Sequence, residues 1–376
     1  MAPIRIALAS PERQPQNDPF VASLRQWSHD VVLLLADGTL PQRDGAGTPL
    51  LLTTKGYRWR NRYERLLLFL DRPEMLRRRI ATLLQRERVQ VMVAGSAATG
   101  EELIRSCQRA HVPLVVRFHG SDGQGQRELE RYSGYRNVLK NAAAIVVSTK
   151  AMEERVLRLG IDRTKVFYNA QGVDLELFGS GRPDLAPPHV LTVGRFVDAN
   201  APLLTLLAFQ RLVQQRPDAR LTMVGEGVLW EGTHQAVNAL GLAGSVDLCG
   251  PRTPVEVAAL MQRSRLFLQQ HVVSDTGQDD GTPLAVLEAM ASGLPVVATH
   301  SAGLAGVVAH SEQGLLSDAR DVQAMTDHLV RLVDDPSLAF RLGAAGREYV
   351  EVHHRMQERI VDLQMMLERV ARNATY

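Results

Sequence analysis

The sequence predicts an α/β protein in which two Rossmann-like, doubly wound domains follow one another and face a central cleft. Short apolar runs alternate with longer amphipathic stretches, as in parallel sheets with helical crossovers. A segment rich in Pro and Gly interrupts this alternation near the middle of the chain, and the alternation then restarts. A length of 376 residues, of which 45% are hydrophobic, suffices for two packed cores.

The first half of the chain predicts a parallel sheet. Its apolar runs predict strands at 4–9, 30–36, 89–94, 113–118 and 143–148, with helices at 75–85, 101–110 and 127–140. Residues 180–188 contain Pro183, Pro187 and Pro188, so they cannot form a helix interior. We therefore expect an N-terminal domain over 1–180 that ends in this linker.

The second half repeats the pattern. Strands are predicted at 189–193, 220–224, 245–248, 266–268 and 295–298, with helices at 202–215, 230–240, 255–263 and 284–291. This predicts a C-terminal domain over 181–355. Beyond it, an apolar stripe at helical spacing predicts a helix over 356–376 that packs back on the N-terminal domain, formed by Met356, Ile360, Leu363, Leu367 and Val370.

Composition excludes several classes of protein. The net charge of +2 gives no global attraction to nucleic acid, and Cys107 and Cys249 are too far apart in sequence to suggest a disulfide scaffold. No apolar run approaches the ~18 residues of a membrane span, and the first residues do not resemble a secretory signal, so we expect a cytoplasmic protein. Lysine is scarce: of four lysines, none follows Lys165.

The segment 279–298 carries the richest chemistry. Gly281, Thr282 and Pro283 form a turn that opens a helix, where free backbone N–H groups favour an anion. Asp280 and Glu288 stand near this turn and could accept hydrogen bonds from sugar hydroxyls. The alternative is a capped core helix with a solvated glutamate, and spacing alone does not decide between the two.

This segment resembles the signature of the retaining glycosyltransferases of family 4, which have the GT-B architecture. The family pattern is Glu, seven residues, Glu, then Ala-Met-Ala-x-Gly-x-Pro-Val-Val, and here Glu288 opens Glu-Ala-Met-Ala-Ser-Gly-Leu-Pro-Val-Val. Other landmarks occur in the family's order, at 118–122, 146–152, 172–178, 193–197 and 224–227. The resemblance covers nearly the whole chain and is most similar to the branch that makes exopolysaccharides.

The resemblance implies a role for each matching residue. His119, Arg195 and Asp280 would be catalytic: His119 and Asp280 beside the donor sugar, and Arg195 against the departing diphosphate. Glu288 would bind the ribose. The remaining donor-binding positions are expected to be Gly194, Asn200, Gly225, Glu226, Arg252, Gly281, Thr282, Pro283 and Leu284. No metal and no cofactor other than the nucleotide sugar are implied.

Three departures from the family pattern bear on activity. Asp280 is one methylene shorter than the usual Glu, and Gly303–Gly306 lacks the carboxylate of the family's Gly-Ile-Pro-Glu loop. Asn200 and Ala201 stand where the family places a Lys just before a Gly. An active enzyme would need Arg195 to act with another group, such as Arg252 or the helix N–H groups at Thr282 and Leu284.

A basic segment from Lys55 to Arg88 holds 11 Lys or Arg residues against four acidic ones, a local charge of +7. Tyr57, Trp59, Tyr63 and Phe69 are interleaved with these cations. The segment could dock anionic lipid headgroups or a polyprenyl-diphosphate acceptor at the inner membrane face. Solvated helix faces are the plainer interpretation, and no nucleic-acid-binding module surrounds the segment.

The leading hypothesis is a retaining glycosyltransferase that moves a sugar from a nucleotide-sugar donor to a hydroxyl of a glycan or lipid-linked acceptor. The alternative is a catalytically weak or inactive homologue that serves as a binding or partner subunit, because Asn200, Gly306 and Asp280 depart from the family pattern. A dinucleotide-dependent oxidoreductase is disfavoured, because no Gly-x-Gly-x-x-Gly joins the first strand to a helix.

Overall fold

The computed structural model describes residues 4–10, 30–35, 50–51, 72–118, 130, 133–272, 284–301, 303–304 and 306–373. The chain divides into two compact units. The first comprises Met1–Asn169 together with Ile360–Tyr376, and the second comprises Ala170–Arg359.

The described residues of the first unit form a parallel sheet of seven strands in the order β3-β2-β1-β4-β5-β6-β7. The strands are β1 Arg5–Ser10, β2 Asp30–Leu35, β3 Leu50–Leu51, β4 Val91–Ala94, β5 Leu114–Phe118, β6 Ala144–Val147 and β7 Val166–Tyr168. The helices are α1 Arg72–Arg86, α2 Ala97–Ala110, α3 Arg136–Asn141 and α4 Lys150–Arg158. Both faces of the sheet are covered, which explains why its strands are almost wholly apolar.

The helix predicted over 127–140 is interrupted: residues 136–140 are helical as predicted, but residues 133–135 are not α-helical. Gly134 and Tyr135 have φ angles of 65° and 57°, so a short 3-10 turn precedes α3, which begins only at Arg136. Tyr135 is fully buried and packs edge-on against Phe118, with ring centroids 5.9 Å apart. Tyr135 thus combines a left-handed backbone with tertiary packing against Phe118. The helical periodicity of the sequence reveals neither feature.

The described residues of the second unit form a parallel sheet of six strands in the order β10-β9-β8-β11-β12-β13. The strands are β8 His189–Val193, β9 Arg220–Val224, β10 Val246–Gly250, β11 Leu266–Gln269, β12 Val296–Thr299 and β13 Gly314–Ser317. The helices are α5 Pro202–Gln215, α6 Trp230–Ala239, α7 Pro254–Met261, α8 Leu284–Ala291, α9 Val322–Asp334, α10 Pro336–His353 and α11 Met356–Asn373, whose residues from Ile360 onward belong to the first unit.

The Pro-rich segment 180–188 packs within the second unit. Gly181 N donates to Ser292 O at 2.8 Å, and the buried Arg265 donates from Nε to Ala186 O at 3.1 Å. Arg265 also donates to Val333 O at 3.2 Å. The carbonyl oxygen of Ala186, which lies in the Pro-rich segment outside regular secondary structure, is thus satisfied by an arginine side chain.

Helix α11 contributes to the core of the first unit. Leu363, Met366, Leu367 and Ala371 are buried in one apolar cluster, together with side chains of the four central strands of the first sheet. The strand residues of this cluster are Ile6, Leu8, Val91, Val93, Val115, Ala144 and Val146. The helix therefore covers one face of that sheet along the apolar stripe that predicted it.

Candidate functional site

The order of strands in the second sheet locates a candidate site. Chain order reverses between β8 and β11, and in an open parallel sheet the loops after such strands leave toward opposite faces and open a crevice between them. Gly194 follows β8 directly, and Gln269 ends β11. Ligands of doubly wound sheets bind at this kind of position.

Two glycine-containing loops pack backbone to backbone at this edge. Gly194 N donates to Val224 O at 3.0 Å, and Phe196 N donates to Glu226 O at 2.8 Å. Gly225 has a φ of 135°, and a Cβ atom there would lie 1.9 Å from Gly194 O. The structure thus brings together the predicted residues Gly194, Gly225 and Glu226, and it explains Gly225 by a contact within the protein.

Arg195 extends from this locked backbone and is exposed. Its carbonyl oxygen accepts hydrogen bonds from Val197 N at 3.0 Å and from Asn200 Nδ2 at 2.9 Å. Asn200 ends a short 3-10 turn, Asp198–Asn200, and Ala201 then adopts φ 39° and ψ 56° before Pro202 starts α5. The loop from 194 to 201 is therefore stabilised by its own hydrogen bonds.

Sequence reasoning missed two glutamines at the crevice. Gln269 and Gln270 are 3% and 2% exposed, and the Oε1 atom of each is buried without a hydrogen-bond partner in the described part of the chain. The Oδ1 atom of Asn200 is also buried without a hydrogen-bond partner among the described residues. Two consecutive amides after the apolar run Leu266–Leu268 are the signal that could have drawn attention to this strand end.

Arg252 lies after β10, two strands away from β8 in the sheet. Its Nε is 4.0 Å from the carboxylate of Glu256, which also accepts hydrogen bonds from the backbone and hydroxyl of Thr253. Glu256 and Thr253 form a capping box at the start of α7. The first turn of α7 therefore already carries the negative charge of Glu256.

Glu288 lies in the middle of α8, between residues that are fully buried on both sides. It is half-buried, and burial raises the pKa of its carboxyl group to about 7. Within the described residues, no ion pair or hydrogen bond compensates this carboxyl group. A desolvated acid of this kind gains stability when a ligand supplies hydroxyl donors.

The remaining predicted positions divide simply. Leu284 is half-buried and is the first residue of α8. His119, Asp280, Gly281, Thr282 and Pro283 lie outside the described residues. Over the ranges described above, no group of three or more His, Cys, Asp or Glu side chains could hold a metal ion.

The basic segment is described only from residue 72 onward. On α1, Glu74 pairs with Arg77 and Arg78, and Arg109 of α2 joins the same carboxylate at 2.6 Å. These partners lower the pKa of Glu74, with the hydrogen bond to Arg109 as the main cause. None of the described helices is both long and apolar enough to span a membrane. The contact with anionic lipid stays a prediction.

Comparisons with known proteins agree with this fold. A family model described as glycosyl transferases group 1 matches residues 175–349, and one described as glycosyl transferase 4-like domain matches residues 19–172. HepE of Anabaena, solved with UDP and glucose, superposes with a TM-score of 0.77 at 15% identity, covering 97% of this chain and 99% of HepE. The predicted GT-B fold with two Rossmann-like domains is thereby confirmed.

Two curated relatives resemble this chain at the level of sequence. The amylovoran biosynthesis glycosyltransferase AmsK of Erwinia amylovora is 25% identical over 260 residues, which is 68% of this chain and 64% of AmsK. A GDP-mannose-dependent alpha-(1-6)-phosphatidylinositol monomannoside mannosyltransferase of Mycobacterium tuberculosis H37Rv is 29% identical over 202 residues, which is 50% of this chain and 52% of that enzyme. The aligned part of the chain thus spans between about half and two thirds of these relatives.

The two family models are adjacent along the chain, and each corresponds to one of the two parallel-sheet regions described above. The group 1 match contains Arg195, Asn200 and Glu288, three of the described polar residues considered above. Residues 19–172 therefore match a glycosyl transferase 4-like domain and residues 175–349 a glycosyl transferases group 1 domain, and the two matches together support a glycosyltransferase.

Proposed function

We propose that this protein transfers a sugar, with retention, from a nucleotide-diphosphate sugar to a hydroxyl of a glycan or lipid-linked acceptor. The observation that carries the proposal is Arg195, an exposed cation on a backbone locked at the switch point of the second sheet. A fixed positive charge at this position can stabilise the negative charge that develops on a departing diphosphate. The second unit would hold the nucleotide, and the first would hold the acceptor.

The carboxyl group of Glu288 supports the same proposal. This group is costly to bury alone, and the paired hydroxyls of a ribose would supply the hydrogen bonds that it lacks within the described residues. Together, Arg195 and Glu288 would bind the two ends of a nucleoside diphosphate. By the resemblance, His119 and Asp280 would contact the donor sugar.

In this mechanism the protein supplies electrostatic stabilisation rather than a nucleophile. The leaving phosphate oxygen accepts the proton of the incoming acceptor hydroxyl, which attacks on the face that the phosphate leaves. Retention of configuration follows because both events occur on one face of the sugar. The proposed reaction requires no metal.

The base of the donor must be determined by experiment. HepE was solved with UDP, whereas the mycobacterial relative is described as GDP-mannose-dependent. A panel of UDP-, GDP- and ADP-sugars, tested for binding by calorimetry and for transfer by product analysis, would identify the donor.

Arg195→Ala tests the site. We expect transfer to fall about 10²- to 10³-fold, because one fixed donor to a developing oxyanion contributes an effect of this size. Arg341→Ala removes an exposed arginine from α10 of the same unit and serves as the matched control, with unchanged turnover expected. Full activity in both Arg195→Ala and Glu288→Gln would contradict the assignment of the site.

The second candidate is a binding or partner subunit without transferase activity, favoured by Asn200 at the position of the family's lysine. The panel discriminates the two functions. Binding of a nucleotide sugar with neither transfer nor donor hydrolysis would favour the partner subunit. Transfer to any acceptor would exclude it.

A further inference from the structure

Asn200 has a specific bonding role in the loop after β8. Its Nδ2 donates to the carbonyl oxygen of Arg195 at 2.9 Å, and that oxygen also accepts from Val197 N at 3.0 Å. A carbonyl oxygen has two lone pairs, so both of its acceptor positions are used. Phe196 N, in the same peptide plane, donates to Glu226 O at 2.8 Å, so two backbone hydrogen bonds and one side-chain hydrogen bond fix this plane.

The orientation of this amide follows from its surroundings. Reversing it would place the amide oxygen against the carbonyl oxygen of Arg195, two acceptors without a hydrogen between them. The amide also lies close to Gly194, since a Cβ atom there would be 3.3 Å from Asn200 Nδ2. Asn200 thus packs over Gly194 while it donates to Arg195.

The turn that carries Asn200 is itself held from the neighbouring strand. Val272 N, just beyond β11, donates to Ala199 O at 2.8 Å. The two loops that flank the switch point are therefore connected through Ala199, the residue before Asn200. A shift of this turn would move the backbone of Arg195 relative to the β11 side of the crevice.

A lysine at this position would not reproduce the bond. Its ammonium group lies two atoms farther from Cβ than Asn200 Nδ2, so it would extend past the Arg195 carbonyl unless the side chain folded back. No lysine follows Lys165 in this chain, and therefore none in the second unit could take over that charge. The amide of Asn200 therefore has a different role from the family's lysine: it bonds to the backbone of Arg195 instead of supplying a charge.

We infer that Asn200 is a positioning residue, which holds the backbone of Arg195 so that the exposed guanidinium meets the diphosphate of the donor. This inference rests on the proposed function, because it assumes that a nucleoside diphosphate occupies the crevice. Asn200 itself acts through Arg195 and not through a contact with the ligand. In place of the family's lysine at position 200, this chain has an amide that fixes the backbone of Arg195.

The experiment is a double-mutant cycle on nucleoside diphosphate binding. Calorimetry with UDP, GDP and ADP identifies the tightest ligand of the wild-type protein, and its Kd is then measured for Arg195→Ala, Asn200→Ala and the double variant. We expect Asn200→Ala to weaken binding about fivefold, the equivalent of one neutral hydrogen bond. In the Arg195→Ala background the same change should cost less than twofold, because the group that it positions is gone.

Two further variants complete the design. Asn200→Lys should also bind more weakly than the wild type, because the bond to Arg195 is lost. Asn238→Ala, at an exposed position of α6 in the same unit, should leave the affinity unchanged. Thermal unfolding of each variant identifies any loss of folded protein. Each Kd is then calculated with the concentration of folded protein only.

The opposite results would overturn the inference. A fivefold loss that persists in the Arg195→Ala background would mean that Asn200 touches the ligand directly. Tighter binding by Asn200→Lys, or unchanged binding by Asn200→Ala, would reject the positioning role. Failure of the wild-type protein to bind any of the three diphosphates contradicts the proposed function as well, and it is recognised by the wild-type measurement alone.

Discussion

The loop from Gly194 to Ala201 and the helix α8 lie in the same unit but hold the residues proposed to bind the ligand, Arg195 and Glu288, in opposite ways. In the loop, backbone and side chain hydrogen bonds hold Arg195 on both sides. In α8, the carboxyl group of Glu288 is buried without compensation from the described residues, and its pKa is raised to about 7. The loop has its geometry fixed before any ligand arrives, whereas the helix keeps a group whose free energy a ligand can lower.

This difference teaches how the site divides its work. A backbone that is already fixed loses little entropy when a diphosphate binds, so the loop provides preorganisation. A desolvated acid lowers the stability of the empty protein and recovers that loss when hydroxyls bind. We expect changes in the packing of the loop mainly to alter the free energy of unfolding. Replacement of Glu288 should raise the stability of the empty protein and weaken the binding of the ligand.

The largest effect should come from Gly225→Ala, which breaks the packing of the two glycine loops. The new Cβ would lie 1.9 Å from Gly194 O on a backbone with a φ of 135°. We expect the free energy of unfolding to fall by about 3–5 kcal/mol, measured by urea denaturation. Gly244→Ala is the matched control, since a Cβ at Gly244 meets no atom within 4 Å. Equal stability of the two variants would contradict the close approach.

Glu288→Gln should sharpen the contrast through pH. The folded protein keeps this acid protonated up to about pH 7, whereas the unfolded chain ionises it near 4.5. Between these values the folded state binds more protons, so stability falls as pH rises through this window. Glutamine does not titrate, and the variant should exceed the wild type by roughly 1–3 kcal/mol at pH 8.

Urea denaturation at pH 4.5 and pH 8 measures this difference. Glu231→Gln, at an exposed position of α6, is the control and should retain the wild-type pH dependence. The same loss of stability with rising pH in Glu288→Gln would show that another group is responsible for it.

The smallest effect is expected from Ala201→Gly at the end of the loop. Ala201 adopts a left-handed conformation, with φ 39° and ψ 56°, which glycine occupies without steric cost. We expect a gain of about 1 kcal/mol in the free energy of unfolding. Ala259→Gly, at an exposed position of α7, should instead lose about 0.5–1 kcal/mol. A loss in both variants would mean that residue 201 is unstrained.

The sequence was a good guide where local chemistry decides the conformation. Helix α5 begins and ends at the predicted residues 202 and 215, because Pro202 suits a helix start and the apolar spacing continues to the end. Gly194 and Gly225 could likewise be expected at strand ends, because each directly follows an apolar run that predicts a strand. The reason for Gly225, however, is a contact with a loop 31 residues earlier in the chain, which no local pattern contains.

The rest of the site depends on tertiary structure. The raised pKa of Glu288 arises from the packing around α8, and the same glutamate on an open helix would titrate normally. The bond from Asn200 to Arg195 depends on a 3-10 turn and a left-handed Ala201, so the amide is visible in the sequence but its partner is not. Buried amide oxygens at Gln269 and Gln270 likewise become informative only once the strand order is known.

The position of α11 has a consequence for synthesis on the ribosome. Leu363, Met366, Leu367 and Ala371 complete the apolar cluster over Ile6, Val93 and Val115, yet they are made more than 200 residues after the strands that they cover. One face of the first sheet therefore stays without its helix during the translation of the whole second unit. A nascent chain with an exposed apolar sheet face is prone to aggregation, so chaperone protection should matter most in this interval.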